Sequence, residues 1–227
     1  MGKTLRKKLN WVLLCALLGL GFGSNSARAA TIPILSGDGL SESNNITGTN
    51  VLINAWPEPI WKAPTKGGKW ISYANTGVGG ITAPDTAITG DPTAIFSKTF
   101  TIAFGQISVG GSLVSFWADD TAAVYIDSNP LSIFPLATTV SVGTYCLNRP
   151  VSCQPSKGGT VDLAGLSAGT HTLSIRAYQL FSNTFGILYE GAVITDAAPN
   201  AVPEPTAFAL GGFGATLMAL LRRKNRA

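Results

Sequence analysis

The chain has 227 residues, of which 45% are hydrophobic and only 12% charged, with 26 Gly, 13 Pro and a single His. Its net charge of +4 is unevenly spread: residues 1–29 carry +5, residues 202–227 carry +3, and the stretch between them carries −4. That split excludes a basic nucleic-acid-binding core, and one His leaves little material for His-based catalysis.

Residues 1–29 read as a secretory signal peptide. Lys3, Arg6, Lys7 and Lys8 make a positive start, Trp11 to Phe22 is apolar without a charge, and Ala27-Arg28-Ala29 offers small side chains at the −3 and −1 positions. Cleavage by signal peptidase is expected after Ala29. Cys15 follows Leu14 inside the apolar stretch, where a lipoprotein site wants a small residue.

Residues 30–200 read as one all-β domain, an antiparallel β-sandwich or jelly roll, because short β-rich runs recur between Gly, Pro, Asn and Asp clusters. Trp56, Trp61 and Trp70 come first; their faces suit sugar stacking, but burial is the commoner fate of tryptophan, and Tyr73, Tyr145 and Tyr178 are read alike. Phe96 to Phe104 alternates, placing Phe96, Lys98, Phe100, Ile102 and Phe104 on one face, with the Lys98 ammonium turned out at an edge. Leu113 to Ala118 suits a central strand. Ala122 to Asp127 turns Val124 and Ile126 inward, and Thr170 to Gln179 turns Leu173, Ile175 and Ala177 inward after a tight reversal at Leu166-Ser167-Ala168-Gly169. Gly186 to Ile194 closes the series.

Candidate chemistry within this domain is sparse. Asp119 and Asp120 are adjacent, and neighbours in a strand point to opposite faces, which makes a poor acid–base pair. Two readings remain for them: an Asx turn closing a hairpin between Trp117 and Val124, or strand-end ligands for a structural Ca²⁺. The turn is favoured because no acid-rich loop of fixed spacing is visible. His171 stands alone as a surface or capping residue. Asn45-Ile46-Thr47 matches a glycosylation pattern that is common by chance. Cys146 and Cys153 are the cysteines left after signal removal, and in an exported chain the pair predicts a disulfide worth roughly 2–3 kcal/mol on the loop-entropy model. No cofactor is called for. No Gly-rich loop ending in Lys-Ser/Thr occurs, and apart from Asp119-Asp120 the eleven acids of the core are scattered singly, so the domain is read as non-catalytic.

Residues 201–227 form a third segment. Pro203-Glu204-Pro205 stops any preceding structure, Ala207 to Leu221 is an uncharged run, and Arg222, Arg223, Lys224 and Arg226 close the chain. As a helix, 207–221 would span about 22 Å, short of the ~30 Å hydrocarbon core but extendable by snorkelling arginines. Basic flanks at both ends place both termini on the cytoplasmic side and the domain outside.

This three-part tail resembles the PEP-CTERM sorting signal of bacterial exported proteins. The resemblance implies recognition by a membrane-embedded exosortase that cleaves near Pro203-Glu204-Pro205, with Arg222, Arg223, Lys224 and Arg226 as substrate features. The precursor would be anchored in the inner membrane and the processed protein would reach the cell surface or extracellular matrix. Within the core, Phe116-Trp117-Ala118-Asp119-Asp120, Val124-Tyr125-Ile126-Asp127 and Leu166 to Leu173 resemble galactose-binding-like jelly-roll domains. That resemblance implies binding of carbohydrate, here extracellular polysaccharide, often with a structural calcium. Where such domains have an Asn-Gly hairpin turn, this chain has Asp127-Ser128-Asn129-Pro130. The alternative is a structural envelope or biofilm protein that self-associates through an exposed sheet edge.

Overall fold

The computed structural model describes residues 28–85, 91–132, 151–180 and 184–199. The expected signal helix and the expected membrane helix at 207–221 lie outside these residues. The described strands are β1 (Ala30–Leu35), β2 (Glu42–Asn44), β3 (Val51–Leu52), β4 (Ile71–Ser72), β5 (Ala94–Ile102), β6 (Gln106–Ser108), β7 (Leu113–Asp119), β8 (Thr121–Ile126), β9 (Asn129–Ser132), β10 (Gly159–Asp162), β11 (Gly169–Tyr178) and β12 (Gly186–Ala197). Among the described residues the one helical element is a short 3₁₀ turn at Pro155–Lys157. Every pairing is antiparallel, as the alternating sequence runs require.

The strands build two sheets. One runs β10-β7-β12-β4-β3, with β1 and β6 also paired to β12; the other runs β2-β5-β11-β8-β9. The inward residues of both sheets share one core. Phe96, Phe100, Ile102, Val124, Ile126, Leu173 and Ile175 from the five-stranded sheet meet Ile34, Val114, Phe116, Val161, Ile187, Tyr189 and Val193 from the seven-stranded sheet. The result is a β-sandwich whose layers are held by apolar burial at roughly 25 cal/mol per Å².

The alternation in β5, β8 and β11 follows the sequence reading, but several connections do not. β7 and β8 lie in different sheets, so no hairpin joins Trp117 to Val124. The chain crosses from one layer to the other at Asp119-Asp120. The segment Leu166–Gly169 likewise joins β10 of one sheet to β11 of the other. β5 ends at Ile102, and Phe104 sits in the following turn at 77% exposure. Lys98 does not reach an edge: β5 runs between β2 and β11, and the side chain is buried at 4% exposure. The Asp127-Ser128 turn does close a hairpin, pairing Ile126 with Asn129, with both turn residues at positive φ (48° and 69°). Two left-handed residues match the twist of a two-residue hairpin, a role Asn-Gly usually fills. The Glu58–Pro59 and Asp119–Asp120 peptide bonds are cis.

β12 is the hub of the larger sheet, and Gly191 shows how tightly it is held. It pairs with Ile34 of β1 on one side and Val114 of β7 on the other. A Cβ at this position would stand 2.2 Å from the Leu113 carbonyl oxygen and 2.6 Å from the Val114 Cα. Backbone cannot yield as a side-chain tip can. Gly191→Ala is therefore expected to destabilise the fold by about 1–3 kcal/mol, read as a lower urea midpoint. An unchanged midpoint would show that β7 and β12 do not approach this closely.

Candidate functional site

The outer faces of the two sheets differ in chemistry. On the five-stranded sheet the outward positions include Ser97, Thr99 and Thr101 on β5, Thr170, Thr172, Ser174 and Arg176 on β11, and Tyr125 on β8, with Ile95 and Ala123 opposite Arg176. Their register places Ser97 opposite Ser174, Thr99 opposite Thr172 and Thr101 opposite Thr170. β-branched threonines suit a pleated surface while leaving a hydroxyl in water, and the Thr101 and Thr170 hydroxyls lie 3.2 Å apart. Ser174 stands opposite Tyr125. The Arg176 guanidinium lies over the half-buried Tyr125 ring, 4.2 Å from its centroid, a contact worth about 0.5–2 kcal/mol. Tyr178 closes this end of the face at 6% exposure. Burial pushes its phenol up, with Tyr125 and Asp91 adding to the rise and Arg176 opposing it. The phenol therefore stays a hydrogen-bond donor at neutral pH. Hydroxyls, a guanidinium and an aromatic ring on one face make a surface suited to polyhydroxylated ligands.

The seven-stranded sheet presents a different outer face. Trp61, Trp70, Trp117, Leu188 and Cys153 form a second apolar cluster over it, with Ile53, Trp56 and Ile60 packed alongside. The Trp61 and Trp70 rings are 4.2 Å apart at 38°, and Trp70 Nε1 donates to the Lys62 carbonyl at 2.9 Å. Trp61 and Trp70 are buried at 1% and 3% exposure, and Trp56 is half-buried. Burial is thus the fate of Trp61 and Trp70. Tyr73 is half-buried against the core with Phe185 at 5.9 Å.

Asp119 and Asp120 correct the sequence reading. Both are buried, at 5% and 4% exposure, and their carboxyls are hydrogen-bonded to each other. The rule that strand neighbours diverge fails because Asp120 lies past the end of β7, where the pleat stops. Burial raises the Asp119 pKa well above the carboxylate range, and the charge and hydrogen bond of Asp120 raise it further, while the Thr184 hydroxyl opposes them. Thr184 Oγ1 donates to Asp119 at 3.0 Å, and the Leu180 N–H donates to Asp120 at 2.9 Å. The pair is a junction that holds a proton while the chain changes sheets. Among the described residues no cluster of three or more His, Cys, Asp or Glu side chains is placed to hold a metal ion.

His171 is also other than expected. It is buried at 8% exposure, with Nδ1 2.7 Å from Asp127 Oδ2 and Nε2 2.8 Å from the Ser167 carbonyl oxygen. The imidazole therefore ties the β8–β9 turn to the β10–β11 connection. Burial pulls its pKa down, but the Asp127 hydrogen bond, the Ser167 carbonyl and the Asp127 charge outweigh it, and the net direction is up. For Asp127, burial pushes up but the His171 and Thr172 hydrogen bonds and the His171 charge win, and the net direction is down. Asp127 reached the site through strand pairing between β8 and β11, which spacing alone does not reveal.

The remaining expected sites fall mostly outside the described residues: Ala27, Tyr145, Cys146, Pro203, Glu204, Pro205, Arg222, Arg223, Lys224 and Arg226. Ala29 is exposed beside the start of β1. Cys153 is fully buried, its Sγ 3.3 Å from the Ile60 carbonyl oxygen. Asn45 and Thr47 are exposed, with Asn45 Oδ1 accepting from the Ile95 N–H at 2.7 Å.

No protein-family model matches the chain, and no curated protein matches it. Among solved structures, it is similar to an exo-β-1,3-galactanase from Phanerochaete chrysosporium in complex with β-1,3-galactotriose. The identity is 12% and the TM-score 0.30, over 75% of this chain and 29% of that enzyme.

The two pKa directions define a pH window. Below its unfolded value of 6.5, His171 contributes its full stabilisation, which is lost as pH rises through its elevated folded value. Asp127 stabilises above its unfolded 3.8 and stops as pH falls through its lowered folded value. Asp119 binds its proton more tightly when folded, so its contribution is greatest below 3.8 and declines as pH rises toward its folded value. Thermal melts are thus expected to show higher Tm in mild acid than above neutrality. His171→Gln should remove the part of the slope that lies above pH 6.5, and Asp119→Asn the part that starts above 3.8. A wild-type Tm that climbs through neutrality would contradict this arrangement.

Proposed function

We propose that this chain is an exported bacterial surface or matrix protein whose jelly-roll sandwich binds extracellular polysaccharide without catalysis. The observation that carries the reading is the Arg176–Tyr125 stack on a face of paired serine and threonine hydroxyls. An aromatic ring beside a guanidinium offers an apolar face and charged donors to a sugar, and the hydroxyls extend the contact along the strands. The titratable groups with the most perturbed surroundings support a binding role over a catalytic one. Both His171 nitrogens are engaged within the fold, and Asp119 and Asp120 are turned into each other. No cofactor enters this reading, and a structural Ca²⁺ at Asp119 and Asp120 would have to displace the proton they share.

In the same reading, signal peptidase removes residues 1–29, and the helix at 207–221 holds the precursor transiently in the inner membrane. Exosortase then cleaves near Pro203-Glu204-Pro205, leaving the domain at the surface or in the matrix. The Cys146–Cys153 disulfide would fasten the segment that covers the Trp117 face. Intact mass of the protein recovered from outside the cell is expected to lack Arg222, Arg223, Lys224 and Arg226. A mass that includes them would end the sorting proposal.

A self-associating structural role is the second reading, favoured by the apolar edge strand β3, where Val51 and Leu52 are 37% and 55% exposed. Binding separates the two. Titration of the purified protein with the host's extracellular polysaccharide should saturate, unaffected by chelator. Tyr125→Ala and Arg176→Ala should each weaken binding at least about tenfold, equivalent to 1.4 kcal/mol. Thr160→Ala, on the opposite sheet, should leave it unchanged. Absence of saturable binding together with concentration-dependent assembly would move the assignment to the structural role.

A further inference from the structure

Lys98 is a charged residue on the core face of β5, a position where its neighbours on the strand, Phe96 and Phe100, and its partner across the ladder, Leu173, are all buried. Its Nζ is 2.6 Å from Asp38 Oδ1 and 2.6 Å from Oδ2, and it donates to the Leu40 carbonyl oxygen at 2.6 Å. Equal distances to the two oxygens make this a bidentate contact, with the two groups that the bond would join already held against each other. A third group completes the arrangement. Glu42 stands directly opposite Lys98 in the β2–β5 ladder. Its oxygens accept the Gly37 N–H at 3.1 and 3.0 Å, one residue before Asp38, and the Tyr189 hydroxyl donates to it from the other sheet. Burial, with the Asp38 charge, raises the Glu42 pKa against the opposing Tyr189, Lys98 and Gly37 contacts.

The geometry points to an intramolecular isopeptide bond between Lys98 Nζ and Asp38 Cγ, formed with Glu42 as the proton carrier. A proton passes from the buried Lys98 ammonium to the part-buried Asp38 carboxylate, leaving a neutral amine against a neutral acid. The amine nitrogen attacks Cγ, and Glu42 moves a proton from nitrogen to the departing hydroxyl. One N–C bond forms, one C–O bond breaks and one water leaves. No electron transfer and no co-reactant is required. The product would staple β5 of one sheet to the β1–β2 connection, joining residues 60 positions apart in a chain with two cysteines after residue 29.

Peptide mapping of the purified full chain under denaturing, reducing conditions tests this. Wild-type digests are expected to contain the Asp38 and Lys98 peptides joined, lower than their sum by one water, with no protease cleavage after Lys98. Lys98→Arg, which keeps the cation, and Asp38→Ala should each release two separate peptides. Lys98→Arg should also melt lower than wild type. Asp38→Asn should give the same joined product, with ammonia leaving in place of water. Glu42→Gln should lose most of the joined species while circular dichroism shows the fold retained. Asp38 precedes Gly39, so a succinimide at that bond is a competing source of water loss; a loss that persists in Lys98→Arg would identify it and overturn the proposal. Wild-type peptides found separate and at full mass would overturn it as well, whether or not the variants fold.

Discussion

A lysine ammonium on the core face of a strand is the constraint around which one end of the sandwich is organised. Removing such an ion from water costs several kcal/mol unless partners surround it. Lys98 meets that requirement with both Asp38 oxygens and the Leu40 carbonyl. These partners belong to the connection between β1 and β2, which belong to different sheets. Placing them fixes how the chain passes from one layer to the other. The same connection is tied to β12 through Ser36, whose N–H and hydroxyl reach the Tyr189 carbonyl, and whose hydroxyl also accepts the Tyr189 N–H at 3.0 Å. Tyr189 in turn bonds Glu42. One buried charge therefore fixes a strand from each sheet and the link between them.

The neighbouring residues of β12 extend the same logic outward. Tyr189 points into the shared core, while Glu190 points to the other side, where it is buried and accepts the Thr65 and Lys66 N–H groups. A carboxylate that receives two backbone donors anchors the loop that carries Trp61 and leads to Trp70. Gly68 fits beneath because a Cβ there would stand 2.7 Å from the Glu190 Cγ. The tryptophan cluster is thus held by a polar contact at its margin, and its apolar surface is spent on covering the larger sheet.

Alternation made the layers legible. In β11 and over most of β5 and β8 the apolar and polar positions follow a period of two, so Val124, Ile126, Leu173, Ile175 and Ala177 were assignable to the core from the sequence. What alternation does not carry is which strand lies beside which. The hairpin expected at Asp119-Asp120 assumed that consecutive strands pair, whereas there the chain changes sheets, as it does again at Leu166–Gly169. Asp127 reaches His171, and Tyr125 reaches Arg176, only because β8 lies against β11 across more than forty residues of chain. Lys98 shows the other limit. Its place on the inward face was legible, but the rule that a lysine turns outward assumed an edge, and the partners that keep it inside are sixty residues away.

These arrangements also bear on where a ligand would sit. A sandwich has two outer faces, and here they are treated differently. The outer face of the larger sheet lies under Trp61, Trp70 and Trp117, whose indole N–H groups at Trp70 and Trp117 are directed to the Lys62 and Pro155 carbonyls. Aromatic rings engaged in that way are occupied within the fold. The smaller sheet is wetted instead, its central strands carrying serine and threonine at matched positions with Tyr125 and Arg176 at one end. Hydroxyls on adjacent strands compete with water for a ligand on nearly equal terms, so each contributes little alone. Affinity on such a surface would come from the rigid ring and guanidinium, with the hydroxyl rows setting orientation. A polymer that repeats its own hydroxyls along its length is the kind of partner that can engage several such weak contacts at once.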